Sequence, residues 1–158
     1  MKLLDLFSGT GSVSHEARRL GWETVSLDID DRHAPVDDSG ALFLHVSILD
    51  WDYKEYPPGT FQFIWASPCC RLYSIARVTA HQSADLDEAD KLVAKTREIV
   101  EYFGAPYAIE NPATSRLWLR SVAKDIPYRT LTSYCCWGFP YRKAVSYTHL
   151  TLPTILRV

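Results

Sequence analysis

Residues 2–12, KLLDLFSGTGS, decide the fold. Lys2 to Leu6 is a short apolar strand. Ser8 to Gly11 is a loop whose two glycines let backbone come close to a ligand, and a helix is predicted from Ser12 to about Leu20. Val13, Ala17 and Leu20 would share its inner face, and Gly21 takes the C-terminal cap position. The same alternation runs on down the chain. Strands are predicted at Thr24 to Leu27, Leu42 to Val46 and Phe61 to Ala66, and Arg32 to Gly40 is loop-like. Asp85 with Glu88 starts a helix in capping-box fashion, with Leu86, Ala89, Leu92, Val93, Thr96, Ile99, Val100 and Phe103 on one face and Gly104 and Pro106 at its end. A fifth strand is predicted at Pro106 to Ile109, a helix near Thr114 to Ala123, and a sixth strand at Tyr128 to Cys135. Strands alternating with helices imply an α/β domain with a mostly parallel, doubly wound sheet.

The chain has 158 residues, 47% apolar and 23% charged, which suits one globular domain with a real core. No apolar run approaches the roughly 20 residues that span a bilayer, and no signal peptide precedes the first strand. The 4 cysteines come as two adjacent pairs, Cys69-Cys70 and Cys135-Cys136, which is no disulfide framework and points to a reducing, cytoplasmic setting. The net charge of −2 conceals an asymmetry. Residues 1–66 carry 5 Lys/Arg against 11 Asp/Glu, whereas residues 111–158 carry 7 Lys/Arg and the single acid Asp125. A basic half beside an acidic half fits a polyanion approaching from one side. Ordinary solvated faces would read the same way from charge alone.

Two segments carry chemistry. Asp28, at the end of the second strand, can accept both ribose hydroxyls of an adenosine cofactor. The glycine loop lacks the G-x-x-x-x-G-K-[ST] spacing of a phosphate cradle, and acids around it suit a positively charged cofactor such as S-adenosylmethionine. A dinucleotide stays open. The second segment is WASPCCRLYS (65–74), where Ser67-Pro68 ends a buried strand and sets a thiol at the carboxyl edge of the sheet, the usual place for chemistry in open α/β folds. Two buried structural cysteines are the alternative. Cys135 and Cys136, adjacent on a strand, point to opposite faces and make a poor zinc site.

The ordered motifs resemble the 5-cytosine DNA methyltransferases over residues 2–143. DLFSGTG looks like their cofactor loop, LDID like the acidic end of strand two, SPCCRLYS like the nucleophile loop, IENP like the Glu-Asn motif, and YCCWGFPYRK like the Gly-x-Pro-Gln-x-Arg region. The compact, phage-type members are most alike. The resemblance implies a Rossmann-like methyltransferase fold, S-adenosyl-L-methionine as cofactor, DNA as partner with the target base flipped out, a monomer, and a bacterial or phage-infected cytoplasm. It implies cofactor contacts from Asp5, Phe7, Ser8, Gly9, Thr10, Gly11, Ser12, Asp28, Ile29, Asp30, Ser47, Ile48 and Pro68. In the family an aromatic and a serine follow the catalytic cysteine three and four residues on. Counting back from Tyr73 and Ser74 selects Cys70, with Cys69 directly after Pro68 as the alternative. Glu110 would bind ring nitrogen 3 and the exocyclic amine of cytosine. Asn111 would hold the loop bearing Pro112, and Lys143 with Arg142 would contact the cytosine carbonyl.

Three departures stand out. Ser47 occupies the place of an acid that contacts the adenine amine, with Asp50 three residues later, while Ile29 and Ile48 would wall the adenine. Tyr141 replaces a glutamine. The target-recognition domain and the last two family motifs are not found, so residues 1–144 read as a catalytic domain and 145–158 as an atypical tail. That tail, VSYTHLTLPTILRV, resembles translated sequencing-adapter sequence at the ends of metagenome-derived reading frames, which implies a natural protein that continues differently. Two other functions fit the same motifs: an impaired cofactor- or DNA-binding remnant, and a tRNA cytosine-5 methyltransferase.

Overall fold

The computed structural model describes residues 1–34, 41–74, 82–126, 129–133 and 144–148, with backbone alone for 82–85 and 144–148. Seven strands form one sheet: β1 (Lys2–Leu6), β2 (Glu23–Asp28), β3 (Ala41–His45), β4 (Phe63–Ala66), β5 (Tyr107–Pro112), β6 (Arg129–Ser133) and β7 (Ala144–Thr148). Their order is β3-β2-β1-β4-β5-β7-β6. The first five are mutually parallel, and β7 runs antiparallel to both β5 and β6. The helices are α1 (Ser12–Arg19), α2 (Gln82–Phe103) and the short α3 (Ser121–Lys124). The α/β class with a mostly parallel sheet, expected from the alternation, and the Rossmann-like fold implied by the resemblance are the ones found.

Burial explains the central strands. Leu3, Leu4, Asp5 and Leu6 are all buried, as are Thr24, Val25, Ser26 and Leu27, the continuous pattern of parallel strands covered on both faces. Leu4, Leu6, Val25 and Leu27 join Ile64, Ala66, Ile109 and the inner face of α2 (Ile99, Val100, Phe103) in the main core. A smaller cluster gathers Tyr73, Leu86, Ala89, Val93, Leu117 and Ala123.

The inner face of α1 differs from the expectation. Leu20 is 75% exposed and Val13 only half-buried, whereas Ser14 and Ala17 are buried. A hydroxyl takes the sheet-facing position because a buried carboxylate and a second hydroxyl receive it, as described below. The helix α2 begins at Gln82, ahead of the expected capping box. The stretch near Thr114 to Ala123 is not one helix. A 3-10 turn at Arg116–Leu119 ends at Arg120, whose extended backbone (φ −83°, ψ 151°) separates it from α3.

The fifth strand is longer than expected, and its extension matters most. It continues through Glu110, Asn111 and Pro112 because β7 pairs with them, Glu110 opposite Tyr147 and Pro112 opposite Val145. That partner comes from across the 144/145 boundary, where the sequence pattern stops. No sequence-local signal could have extended β5 over Glu110.

Candidate active site

The strand register aligns the carboxyl ends. Leu6 pairs with both Leu27 and Ala66, and Ala66 with Ile109. The next residues, Phe7, Asp28, Ser67 and Glu110, therefore stand along one rim of the sheet. A cavity of about 640 Å³ lies at the other rim by Arg97, Gly104 and Tyr107, away from every motif.

The glycine loop is built from below. Asp5, 1% exposed, accepts from the Ser14 amide (3.2 Å) and hydroxyl (2.6 Å) through one oxygen, and Ser14 Oγ lies 2.6 Å from Ser26 Oγ. Burial pushes the Asp5 carboxyl up to about 6, opposed by the two Ser14 hydrogen bonds. The chain then turns through left-handed backbone at Phe7 (φ +60°), Gly9 (φ +51°) and Gly11 (φ +70°). A phenylalanine there is strained, and such strain gathers at ligand sites. The Gly9 amide donates to Asp28 Oδ2 (2.8 Å), and the Asp30 amide to Asp28 Oδ1 (2.9 Å). Each carboxylate oxygen retains a lone pair for a further donor.

A cleft of about 260 Å³ opens above this loop, lined by Asp5, Phe7, Ser8, Gly9, Thr10, Ser12, Val13, Trp65, Ser67 and Glu110. It joins the expected cofactor loop to the expected base-binding acid. Trp65, Ser67 and Val13 were not anticipated. Trp65 Nε1 donates to Ser67 Oγ (2.8 Å) across the end of β4, which a reading for charged and catalytic letters passes over.

Several expected cofactor residues stand elsewhere. Ile48 is 2% exposed and packed within the main core. Ile29 is 72% exposed at the end of β2 and open to a flat apolar ligand. Asp30 is turned to Arg32, which donates Nε to its Oδ1 at 2.9 Å and Nη2 to its Oδ2; this holds the Asp30 carboxyl well below its ordinary range. Ser47 Oγ accepts from the Leu49 amide (3.2 Å) within its own turn. Pro68 is buried and absent from the cleft wall, and Gly11 lines a second hollow with His15, Arg18 and His33, which shares Ser8, Thr10 and Ser12 with the cleft.

The cysteine loop follows β4. Both Cys69 and Cys70 are exposed. Cys70 lines a pocket of about 170 Å³ with Arg71, Ser74, Pro112, Thr114 and Ser115, and Cys69 is not among the lining residues. Asn111, 0% exposed, donates Nδ2 to the Pro68 carbonyl at 2.8 Å. Its expected role thus shifts. It holds the cysteine loop from the neighbouring strand, because β5 extends far enough to face it. Pro112 is held by its own downstream turn, its carbonyl accepting from Trp118 Nε1 (2.8 Å) and the Ser115 amide (2.9 Å). Glu110 lines the cleft, and Pro112, two residues further along β5, lines the Cys70 pocket. Arg142, Lys143, Tyr141, Cys135 and Cys136 lie outside the described residues. Ser133 and Ala144, which flank 134–143, pair at the carboxyl end of β5, one residue from the Pro112–Val145 pair.

A strand order of 3-2-1-4-5-7-6 with a glycine-loop cleft defines the Rossmann-like methyltransferase class. Solved structures agree on the fold. The Schizosaccharomyces pombe Dnmt2 methyltransferase superposes with a TM-score of 0.65 at 15% identity over 94% of this chain and 48% of its own. The Entamoeba histolytica methyltransferase EhMeth gives 0.67 at 17% identity, over 96% and 53%. A Burkholderia thailandensis 1,6-didemethyltoxoflavin-N1-methyltransferase, solved with bound S-adenosylhomocysteine, gives 0.58 at 12% identity, over 96% and 71%. No protein-family model matches the chain. A curated protein of Frog virus 3 (isolate Goorha), named "Probable DNA (cytosine-5)-methyltransferase", is 34% identical over 90% of this chain and 67% of its own length. The chain belongs to the DNA (cytosine-5)-methyltransferase family. It spans about half the length of the first two solved structures.

Proposed function

We propose that the chain transfers a methyl group from S-adenosylmethionine to carbon 5 of cytosine in DNA, with Cys70 adding covalently to a flipped-out base. The observation that carries this reading is the cleft that runs from the glycine loop to Glu110, with the Cys70 pocket beside it on the same rim. The residues present fit the cofactor: left-handed glycine backbone for close approach, the Asp28 carboxylate for ribose hydroxyls, exposed Ile29 for the adenine face, and buried Asp5 as nearby negative charge. When bound, the cofactor supplies an electrophilic methyl group.

The cytosine ring is a poor nucleophile at carbon 5 because it is aromatic. Addition of the Cys70 thiolate at carbon 6 forms a carbon–sulfur bond and moves the ring electron pair toward carbon 5. Glu110 hydrogen-bonds ring nitrogen 3 and gives it a proton as the charge builds. Carbon 5 would then take the methyl group as its bond to the cofactor sulfur breaks, leaving S-adenosylhomocysteine; ring nitrogen 3 would return its proton to Glu110, and carbon 5 would lose its proton to a base. The returning electron pair breaks the carbon–sulfur bond and frees the thiolate. Asn111 keeps the thiol at the rim throughout, by holding Pro68. Arg142 and Lys143 act on the cytosine carbonyl oxygen, a role resting on the family pattern and on the place of their flanking strands. A base inside a duplex cannot reach this rim, so flipping is required.

The test is transfer of labelled methyl from S-adenosylmethionine to duplex DNA and to tRNA, repeated with Cys70→Ala and Cys69→Ala. Transfer to DNA that survives Cys69→Ala and vanishes with Cys70→Ala is expected. Transfer surviving Cys70→Ala would overturn the choice of nucleophile, and transfer to tRNA alone would overturn the substrate. Cofactor binding with no transfer to either would leave a binding remnant. Duplex DNA bearing 5-fluorocytosine should trap the adduct on Cys70, since fluorine blocks the last elimination.

A further inference from the structure

The loop bearing Cys70 is fastened at both ends. Upstream, Asn111 holds Pro68. Downstream, the fastening runs through Tyr73 into α2, beyond any residue the motifs single out. Tyr73 is 1% exposed in the smaller core cluster, and it is tied at three further points. Its amide donates to the Cys70 carbonyl (3.1 Å), which closes the turn carrying the thiol. Its carbonyl accepts from the Arg116 amide (3.0 Å). Its hydroxyl donates to Asp90 Oδ1 (3.0 Å).

Asp90 is itself held. Its Oδ2 accepts from Arg120 Nε at 2.7 Å and lies 2.6 Å from Arg120 Nη2, which also donates to Asp87 Oδ1 at 2.9 Å. The Asp90 side chain is 14% exposed and that of Arg120 32%, so the pair is better sheltered than an ordinary surface bridge. Burial and the Asp90 carboxylate both push the Tyr73 hydroxyl well above its ordinary range, so it remains a donor at every working pH.

We propose that Asp90 is a positioning residue for the covalent step, fixing the Cys70 turn through the Tyr73 hydroxyl with Arg120 as its anchor. The proposal rests on Cys70 as nucleophile. Ring burial alone would keep Tyr73 in the core while leaving it free to shift within an apolar cluster. A charge-assisted hydrogen bond to a carboxylate held in two places adds the direction that burial lacks. Thiol addition needs the sulfur about 3–3.5 Å from carbon 6, and a misplacement of about 1 Å can cost roughly a hundredfold in rate. With Pro68 as the sole fixed point, Cys69 to Leu72 could pivot by that much.

The experiment compares the full chain with Tyr73→Phe, Asp90→Ala and Asp90→Asn. Two readouts need no catalysis: hydrogen exchange of the Tyr73 and Arg116 amides, and the ratio of iodoacetamide alkylation at Cys70 to that at Cys69. Tyr73→Phe, which keeps the buried ring, and Asp90→Ala should speed Tyr73 amide exchange about tenfold and change the alkylation ratio about threefold. Asp90→Asn should fall between, because its Oδ1 still accepts from Tyr73. Adduct formation on 5-fluorocytosine duplex DNA with S-adenosylmethionine should slow about tenfold in both disrupting variants, with half-saturating DNA unchanged. Wild-type exchange and alkylation in a folded Tyr73→Phe variant would overturn the proposal. So would an unchanged rate of adduct formation, or a loss confined to DNA half-saturation. A wild-type chain that forms no adduct would overturn the proposed function instead, and the exchange and alkylation readouts would still decide the positioning role.

Discussion

Asp5 makes the protein's stability depend on pH with a sign opposite to that of most carboxylates. Its pKa rises from the ordinary 3.8 to about 6, chiefly by burial, with the Ser14 hydrogen bonds opposing and the nearby Asp28 charge assisting. The folded state therefore binds the Asp5 proton more tightly than the unfolded chain does. That stabilisation is fully present below pH 3.8 and is lost as pH rises through about 6. The whole span is worth about 3 kcal/mol, from a pKa difference of about 2 at about 1.4 kcal/mol each. Between pH 5 and 7.5, where other carboxylates have largely finished titrating, linkage leaves about 1.4 kcal/mol. Asp5→Asn keeps an oxygen acceptor for the Ser14 amide and removes the titration. Urea unfolding of both proteins across that range should show the wild type losing about 1.4 kcal/mol more than the variant as pH rises. At pH 7.5 the variant should be at least as stable as the wild type, because it buries no charge. Parallel curves, or a wild type that gains on the variant with rising pH, would refute the account of a desolvated Asp5.

Asn111→Ala removes the donor to a buried Pro68 carbonyl and should cost about 2 kcal/mol, lowering Tm by about 4–8 °C in thermal unfolding. Gly11→Ala meets no atom within 4 Å at φ +70°. Its cost should therefore be backbone strain alone, about 1 kcal/mol by urea unfolding, and smaller for Gly11→Asn. Asp28→Ala should weaken S-adenosylhomocysteine binding about tenfold by titration calorimetry, through loss of a charge-assisted hydrogen bond. It also frees the Gly9 amide, so exchange at Gly9 should rise.

The first half of the sheet was legible because its signals are local. The glycine loop, the run of buried letters in β1, and the inner face of α2 from Leu86 to Phe103 all depend on residues close in sequence. The face of α1 was misread for a definite reason. Counting apolar letters favours Val13 and Leu20, and cannot see that Ser14 is buried because Asp5 and Ser26 receive its hydroxyl. Ile48 and Ile29 look alike as letters beside the cofactor motifs, yet one lies in the core and the other in solvent, since only the packing of the turn after β3 separates them. The span of β5 over Glu110 to Pro112 was illegible for another reason. It depends on β7, which follows it by more than thirty residues and lies where the periodic pattern lapses.

That non-local pairing bears on the site. Asn111 reaches Pro68 only if the strand continues past Ile109, and the strand continues because β7 pairs with it on one side while β4 pairs with its start on the other. The cofactor side of the rim is supported differently, by the buried stack of Asp5, Ser14 and Ser26 beneath the glycine loop. Each half therefore has its own foundation, and they meet at Trp65 on β4 and Ser67 just after it, which line the cleft while the chain leads on into Pro68. Loosening either foundation should disturb one half and spare the other. Asp5 variants should alter cofactor affinity and leave Cys70 alkylation as it was, whereas Asn111 and Asp90 variants should alter alkylation and leave cofactor affinity as it was. Calorimetry and alkylation on the same set of proteins would measure both, and a variant that moved both readouts together would show that the rim is one unit rather than two.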